Sequence, residues 1–503
     1  MTDEQWHFSF REPGMTLYHR AGMAGLALSL DMLQTQGELP PEVEVDIGEQ
    51  DLTIRGLSYD KYGLLRLIGL TYPISPEGLI AFPTVRGWSN VAKARLQSLL
   101  LKTWLQHPKS RTAAKSQETR TETYDDRTVE WSYLPLKSLK AIESSAENWD
   151  KARKRGQPVE IASTILPGAM VRHNALKETA LTDSTSRYPL LLFAMLGCLH
   201  FDGTALARTG EFDGKTESFV VIPRPAGLSA YVDKLRSYYR YYAQSGISKT
   251  WRATGTSDAA LSAAVILNVD QHRLYKRLEA DLTVIRFGKV VWSQQKTRTG
   301  VYHTSKVERS AVKRYKLLDE CLEIDGTEGV FPFRDKFATN LIYGRPWYVG
   351  FAEYGGTKGW YRITRWKEGL KAMTRNQEMW DEEEQRQFVL LVQNAIRNRF
   401  GKVKSDAVAR SGDIASMLSR EYERMRIAWS KARTRQEFLF GLMDFLAETR
   451  PKPDGLSQQP LKILLKLRNK VDWREIRDLC LLALATYSRP EEEKETNPIN
   501  KNE

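Results

Sequence analysis

The sequence predicts an α+β N-terminal body followed by an all-α C-terminal helical bundle. Over the first 366 residues, strand-like alternation of apolar and polar positions is interleaved with helical periodicity. From about Lys367 the strand-like alternation ends, and helical periodicity continues to Tyr487. The length of 503 residues and the 41% hydrophobic content are typical of a folded chain of several packed units.

Three parts follow from this change of pattern. We predict a body at residues 1–366 with a possible internal boundary near residue 188, a basic bundle at 367–489, and a disordered acidic tail at 490–503. The start WHFSF alternates like a strand, Leu17 to Leu33 has helical periodicity, and VEVDI and LTIRG indicate two short strands. Small residues such as Gly22 and Gly25 interrupt the leucines of that helix, so we expect a neighbouring element to approach its backbone closely.

The rest of the body alternates between helical and strand-like segments. Helices are predicted at the following segments: Trp88 to Gln106, Leu136 to Arg155, YPLLLFAMLGCLH from Tyr188, Ala230 to Ala243 and Ala259 to Leu282. Strands are predicted at ESFVVI and TVIRFGKVVW. The polar stretch at 107–127 predicts a long mobile loop, and Gln157 to Pro189, which contains Pro and Gly, predicts irregular backbone.

The bundle contains five predicted helices and much of the excess positive charge. The helices are Glu382 to Phe400, Ser405 to Ala432, Arg435 to Glu448, Pro460 to Asn469 and Asp472 to Tyr487, with PKPDGLSQQP as the clearest linker. Between Gln385 and Arg489 there are 21 Lys and Arg against 11 Asp and Glu. The whole chain has a formal charge of +13, so a polyanionic partner is favoured.

Composition also limits the compartment and the chemistry. Three widely spaced cysteines exclude a disulfide framework and predict a reducing, cytoplasmic setting. A signal peptide and a long apolar run are absent, so no membrane contact is expected. Motifs of nucleotide-binding loops, serine hydrolases and zinc proteases are absent, and the histidines are scattered singly. We therefore expect no enzymatic activity, no metal and no cofactor, with a metal-dependent nucleic-acid enzyme and a protein-only helical scaffold as the alternatives.

A candidate site for recognising DNA lies in LPGAMVRHNALKET. Its residues are Arg172, His173, Asn174 and Lys177, which follow a Pro-Gly turn. Arg and Lys contact phosphates or guanine, and Asn both donates to and accepts from a base edge, so this set suits duplex recognition. The structural alternative is that Asn174 caps the following helix.

Two further basic groups are candidates for contacting a nucleic-acid backbone. Lys296 and Arg298 lie near a predicted hairpin tip, where an ordinary solvated turn is the alternative. The second group belongs to the bundle and consists of Arg397, Arg399, Lys402, Lys404 and Arg410. Such density can follow a phosphate backbone without recognising sequence, although each residue alone could be a solvated charge.

The opening FSFREPGMTLYHRAGMAGLALSL resembles the start of CRISPR-associated large subunits of the Cas eight family, Myxan variety, grouped with type I-B systems. The resemblance is carried by Arg11, Glu12, Pro13, Gly14, His19, Arg20, Gly22 and Gly25. It also extends to the layout of the whole chain. The resemblance implies a non-catalytic subunit of a Cascade effector that recognises the motif flanking the target, helps to unwind the duplex and stabilises the R-loop.

The resemblance also implies partners. They are crRNA, target double-stranded DNA, the backbone, guide-end and small Cascade subunits, and a downstream helicase-nuclease or transposition adaptor. The C-terminal bundle resembles the Cascade small subunit. In related systems that subunit is made by internal translation, so Met373 and Met379 are candidate internal starts.

Overall fold

The protein is represented by a computed structural model that describes the following residues: 5–124, 127–162, 164–166, 181–206, 212–224, 227–244, 252–267, 280–290, 293–322, 331, 333–451, 462–463, 465 and 471–487. The chain divides into two compact units. Unit 1 comprises Met1–Ala205 and Gly214–Val312, and unit 2 comprises Leu206–Asp213 and Lys313–Glu503. The predicted domain boundary after residue 366 falls inside unit 2 and stays a prediction.

Unit 1 combines helices with several small sheets. Its helices are α1 (Leu17–Thr35), α2 (Lys61–Thr71), α3 (Asn90–Lys102), α4 (Lys140–Lys154), α5 (Tyr188–Leu191), α6 (Leu228–Gln244), α7 (Thr256–Ile266) and the start of α8 (Arg309–Cys321). Its strands are β1 (Gln5–Ser9), β2 (Glu44–Ile47), β3 (Asp51–Arg55), β4 (Thr112–Ala113), β5 (Glu118–Tyr124), β6 (Arg127–Tyr133), β7 (Leu136–Ser138), β8 (Val159–Glu160), β9 (Thr182–Asp183), β10 (Leu199–Leu206), β11 (Phe212–Pro223), β12 (Arg252–Ala253), β13 (Ala280–Val290) and β14 (Ser293–Val307).

The largest sheet of the described chain has five strands in the order β12-β10-β11-β13-β14. Strand β13 pairs antiparallel with β11 and with β14, and β10 pairs parallel with β12. The predicted N-terminal strands are confirmed as a separate antiparallel sheet of order β1-β3-β2, in which Trp6 pairs with Ile54. The α+β character of the N-terminal part is therefore confirmed.

Helix α1 is the central helix of unit 1, and its small residues pack as predicted. A Cβ atom on Gly22 would collide with the carbonyl oxygen of Leu190, and one on Gly25 would lie 2.6 Å from the backbone nitrogen of Gly197. Because no side chain separates them, α5 and the 3-10 turn that follows it (Ala194–Gly197) lie directly on the backbone of α1.

An aromatic cluster joins the N-terminal strand to α4. The rings of Trp6 and Trp149 are stacked with centroids 5.3 Å apart, and Tyr59 lies edge-on to both. The indole nitrogen of Trp149 donates to the carbonyl of Thr185 at 2.7 Å. Since Trp6 and Trp149 are fully buried, the cluster holds β1, α4 and the chain before α5 together.

The predicted mobile loop at 107–127 is wrong, because strands β4 and β5 and the first residue of β6 lie in this region. Strands β5 and β6 form an antiparallel hairpin from Glu118↔Tyr133 to Tyr124↔Arg127. Trp131 and Tyr133 point to one side of β6 and are buried in a cluster with Leu79, Val91 and Ala94. Most residues of the hairpin are polar. They hide the spacing of two residues between the buried positions that would have indicated a strand.

Two other helix predictions in unit 1 need correction. The apolar run from Tyr188 forms the short α5, then a 3-10 turn, and enters β10 at Leu199. It is buried on all sides, so its hydrophobicity carries no period that separates helix from strand. Helix α7 ends at Ile266, and residues 280–282 of the predicted helix belong to β13; the residues between 267 and 280 lie outside the described chain.

From Lys313 onward, the regular secondary structure described in unit 2 is entirely helical. It contains most of α8, then α9 (Arg334–Ile342), α10 (Thr357–Thr364), α11 (Lys367–Arg375), α12 (Glu383–Ala409), α13 (Ile414–Lys431), α14 (Arg435–Thr449) and α15 (Trp473–Thr486). The all-α C-terminal bundle is therefore confirmed. The predicted interruption between Phe400 and Ser405 is wrong: α12 continues to Ala409, and the chain turns at Ser411, whose φ is 48°.

Helix α15 forms the centre of unit 2, where residues from Ile476 to Thr486 are mostly buried. The Asp478 carboxylate accepts hydrogen bonds from the backbone N–H groups of Gly350 and Ala352, both at 2.7 Å. Burial raises the pKa of Asp478 to about 6, against the lowering effect of these two hydrogen bonds. The last described helix is thus tied to a segment before residue 366.

Candidate nucleic-acid interface

The C-terminal half of α12 presents basic side chains to solvent. After Phe400 only Ala407 is buried, so this part of the helix has solvent on most of its circumference. Four of the five predicted cations are exposed here: Arg397, Lys402, Lys404 and Arg410. Arg397 and Lys404 are seven residues apart, which places them on one face about 10 Å apart along the helix axis.

Gly401 lies between Arg397 and Lys404 on the same face. A Cβ atom there would meet no heavy atom within 4 Å, so packing does not require glycine at this position. Glycine inside a helix costs up to ~1 kcal/mol relative to alanine. Because Gly401 has no side chain, it leaves a gap on the helix surface between the two cations. A phosphate backbone has room to approach the helix closely at this gap.

Arg399 has a different environment from the exposed cations. Its guanidinium is paired with Glu421 of α13 at 2.7 Å and with Glu448 of α14 at 2.8 Å, and its side chain is 17% exposed. Arg399 therefore joins three helices, and its charge is neutralised within the bundle. Its predicted contact with nucleic acid is untested, and the geometry assigns it a positioning role.

Basic residues continue along α13 and α14. Lys431, Arg433 and Arg435 are exposed around the connection between these helices, and Arg424 is exposed with Glu421 3.7 Å away. Arg426, by contrast, is 5% exposed, pairs with Glu423 at 2.6 Å and donates to the carbonyl of Gly355. The exposed members add positive charge to the surface of unit 2.

The second predicted group lies on β14, the edge strand of the five-stranded sheet. Arg298 is paired in register with Gly288, and Lys296 falls where the register is irregular, between Lys289↔Thr297 and Val290↔Ser293. Both residues are close to the end of the β13–β14 hairpin, as predicted. Their side chains lie outside what the structure describes.

The residues predicted to recognise the flanking motif, Arg172, His173, Asn174 and Lys177, also lie outside the described residues. The described chain on either side of them is paired: Glu160 is opposite Thr182 in the β8–β9 ladder. The N–H of Ile161 donates to the carbonyl of Leu181 at 2.8 Å. The two ends of this segment are therefore held side by side.

Strand β9 is tied to the start of α1 through a buried pair. His19 Nε2 lies 2.5 Å from the carboxylate of Asp183, which also accepts from Arg187 at 2.7 Å. On the other side of the ring, Nδ1 accepts from the backbone N–H of Thr16 at 3.1 Å and lies 2.7 Å from its hydroxyl. Burial alone would raise the pKa of Asp183, but the hydrogen bond and charge of His19, with Arg187, lower it on balance.

A threonine hydroxyl, a histidine and an aspartate in line are also the components of a hydrolase triad. Here Nδ1 already accepts the N–H of Thr16, the residue that caps α1. The imidazole is thus part of a helix cap, and its one acceptor nitrogen is occupied. His200 is also structural: Trp104 donates to its Nε2 at 3.0 Å, and burial lowers the pKa of His200 to about 3.

The described residues contain neither a candidate metal site nor a candidate membrane span. They contain no group of three or more His, Cys, Asp or Glu arranged to hold a metal ion. Among the same residues, no helix combines the length and the apolarity needed to cross a membrane.

The candidate internal starts are both in the core of unit 2. Met373 lies on α11, Met379 lies in the 3-10 turn before α12, and both are 0% exposed. A second product that starts at either residue stays a prediction.

The chain is similar to two known protein domains and to one CRISPR-associated protein. The DevT N-terminal domain matches residues 7–192, and the DevT C-terminal domain matches residues 376–503. The chain is also 26% identical over 526 residues to CRISPR-associated protein Cas8a1/Csx13 of Myxococcus xanthus (strain DK1622), an alignment that covers 94% of this chain and 87% of the relative. The chain is therefore similar to a Cas8 protein along almost its whole length. The resemblance seen in its opening residues is confirmed.

The two matched ranges contain different candidate residues of this chain. The segment at 167–180 lies in the N-terminal match, and the basic residues of α12 lie in the C-terminal match. Lys296 and Arg298 belong to neither matched range. The DevT matches thus cover the two ends of the chain, and the strands of the five-stranded sheet lie between them in sequence.

Proposed function

We propose that the chain is the non-catalytic large subunit of a type I, I-B-like CRISPR RNA-guided surveillance complex that acts in antiviral defence. The observation that carries the proposal is the alignment with Cas8a1/Csx13 along 94% of the chain. The exposed cations on α12 support it, because Lys and Arg supply the affinity for a phosphate backbone. In this role the chain binds target DNA, helps to unwind it and stabilises the R-loop.

The proposed role requires little sequence recognition by the protein. Base pairing with crRNA selects the target, and the protein recognises a short protospacer-adjacent motif and backbone shape. We assign the motif to Arg172, His173, Asn174 and Lys177, whose segment has both ends anchored by the β8–β9 pair. The helices from α12 to α15 take the part of a small subunit along the displaced or target strand.

This role implies other partners. They are the backbone, guide-end and small Cascade subunits, and a downstream helicase-nuclease or transposition adaptor, since cleavage or transposition would belong to other proteins. Co-expression with the neighbouring genes and a CRISPR array, purification of the complex and sequencing of its RNA test the assignment. Recovery of guide-length RNA with companion subunits is expected. Protein without RNA, or metal-dependent cleavage of DNA by the chain alone, would favour the enzyme alternative.

The α12 surface is tested with a charge-matched pair of variants. Replacing Arg397 and Lys402 by Gln should weaken DNA binding of the complex and reduce the slope of log K against log salt by about 2. Replacing Lys137 and Lys140, two exposed lysines of unit 1, removes the same charge and should leave the slope unchanged. Equal effects of both pairs would indicate only a net-charge effect, and salt-independent binding would favour the protein-only scaffold.

An internal start at Met373 or Met379 would release a product that lacks residues 350–352. That product would leave the Asp478 carboxylate without its two backbone donors, so we expect it to need stabilisation by the complex. The internal start is tested by expressing the native gene with a C-terminal tag and comparing its products with those of Met373→Leu and Met379→Leu. Leu is chosen because it conserves the volume of Met in the core. Full-length chain alone from the unaltered gene would contradict it.

A further inference from the structure

Helix α9 ends in a tight turn that exposes an aromatic ring. Tyr343 follows the last residue of α9 and is 71% exposed. Gly344 has φ +63°, a conformation that glycine adopts without strain, and Arg345 donates its N–H to the carbonyl of Asn340 at 2.8 Å. The turn therefore has a fixed backbone and ends the helix with Tyr343 and Arg345 directed away from the core.

The buried side-chain amide of Asn340 stabilises the turn through hydrogen bonds. Asn340 is 2% exposed, and its Nδ2 donates to the carbonyls of Trp347 at 3.0 Å and Val349 at 2.7 Å. Trp347 itself is 0% exposed and lies within an aromatic cluster with Phe337 and Trp380. The chain on both sides of the exposed ring is thus anchored in the core of unit 2.

The exposed ring has a cation beside it. The Arg345 guanidinium carbon lies 5.9 Å from the centroid of the Tyr343 ring, and Arg345 is exposed. In the described part of the chain, no carboxylate pairs with Arg345. Ile342 and Pro346, which flank the turn in sequence, are only partly exposed.

We propose that Tyr343 and Arg345 form a stacking site for one unpaired nucleobase and its phosphate. An aromatic face accepts any unpaired base, and a nearby guanidinium adds both cation–π attraction and a phosphate contact. Bases of an intact duplex are already stacked on one another and cannot enter. The inference rests on the proposed function, because it requires that the chain meets a displaced or opened strand.

The test compares single-stranded and duplex binding by the full chain in its complex. Tyr343→Ala should weaken the binding of a mixed-sequence, labelled single strand by about tenfold, the effect of one lost stacked base, and leave a blunt duplex of the same sequence unaffected. Tyr343→Phe should retain single-strand affinity, and Arg345→Gln should reduce it. Tyr361→Ala is the matched control, because Tyr361 is 72% exposed on α10 and no cation of the described residues lies on its ring.

The outcomes separate this site from the proposed function. If Tyr343→Ala binds the strand as the unaltered chain does, while loss of Arg397 and Lys402 weakens binding, the stacking site is overturned and the proposed function stands. If Tyr343→Ala, Tyr361→Ala and duplex binding change together, the site is also overturned. Loss of a companion protein without loss of strand affinity would make the turn a protein contact. If no form of the complex binds nucleic acid, both proposals fail.

Discussion

A Cβ atom on Gly25 of α1 would lie 2.6 Å from the backbone nitrogen of Gly197, and one on Gly197 would collide with the carbonyl of Ala21. The two backbones are therefore in direct contact at the centre of unit 1. Helix α1 can occupy its place only because both elements have glycine where they meet.

Replacing Gly25 or Gly197 by Ala should destabilise unit 1 strongly. The added methyl meets backbone atoms that cannot rotate away, so we expect a loss of about 2–3 kcal/mol or more in the free energy of unfolding. Chemical denaturation followed by tryptophan fluorescence measures the loss. An alanine at Gly25 with unchanged stability would show that the contact can relax.

Gly401→Ala should stabilise the protein, in contrast to the alanine variants of Gly25 and Gly197. Its Cβ would have open space inside a regular helix, so we expect unit 2 to gain about 0.5–1 kcal/mol. Gly441 of α14 has the same open surroundings and provides an independent replicate. If Gly401→Ala also weakens DNA binding while Gly441→Ala does not, the gap on α12 serves a ligand; a loss of stability would contradict the helical assignment there.

Arg397 and Arg399 should respond differently to the same change. Arg399→Gln leaves Glu421, whose side chain is 14% exposed, without its closest cation and should cost about 1–3 kcal/mol in the stability of unit 2. Arg397→Gln should change stability by less than about 0.5 kcal/mol, because its side chain is exposed. Denaturation curves of the two variants check this, and equal losses would remove Arg399 as an interhelical contact.

The stability of unit 2 should depend on pH through Asp478. Its pKa rises to about 6 in the folded chain, so the folded state binds a proton more tightly than the unfolded state. This contribution to stability is complete below the ordinary carboxyl pKa and is lost as the pH rises through about 6. Asp478→Asn cannot ionise and removes the dependence.

Denaturation at pH 4.5 and 7.0 measures this effect. The stability advantage of the unaltered chain over Asp478→Asn should shrink by about 2 kcal/mol between these pH values, since each unit of pKa shift corresponds to about 1.4 kcal/mol and pH 4.5 already lies above the ordinary carboxyl pKa. An advantage that is equal at both pH values, or larger at pH 7.0, would show that Asp478 is charged without cost when the chain is folded.

Sequence patterns predicted the elements whose period is clear. Helix α1 begins at the predicted Leu17, and α14 and α15 lie close to their predicted positions. The predictions were wrong where the apolar residues showed no clear period, or where polar residues around them hid that period. The apolar run from Tyr188 is buried on every side, and in the β5–β6 hairpin the buried Trp131 and Tyr133 alternate with polar neighbours. The turn at Tyr343 was missed because its signal, Gly and Pro beside exposed Tyr and Arg, is common to ordinary turns.

By itself the sequence determined the class of each half, the positive charge of the bundle and the resemblance to Cas8 large subunits. Local periodicity and composition are sufficient for these, because they depend on neighbours along the chain. Only the tertiary structure separated Arg397 from Arg399, two identical residues two positions apart. A helix turns by about 200° over that spacing, so one guanidinium points to solvent and the other reaches Glu421 and Glu448. Which of them remains available to a partner is decided by the helices packed against α12.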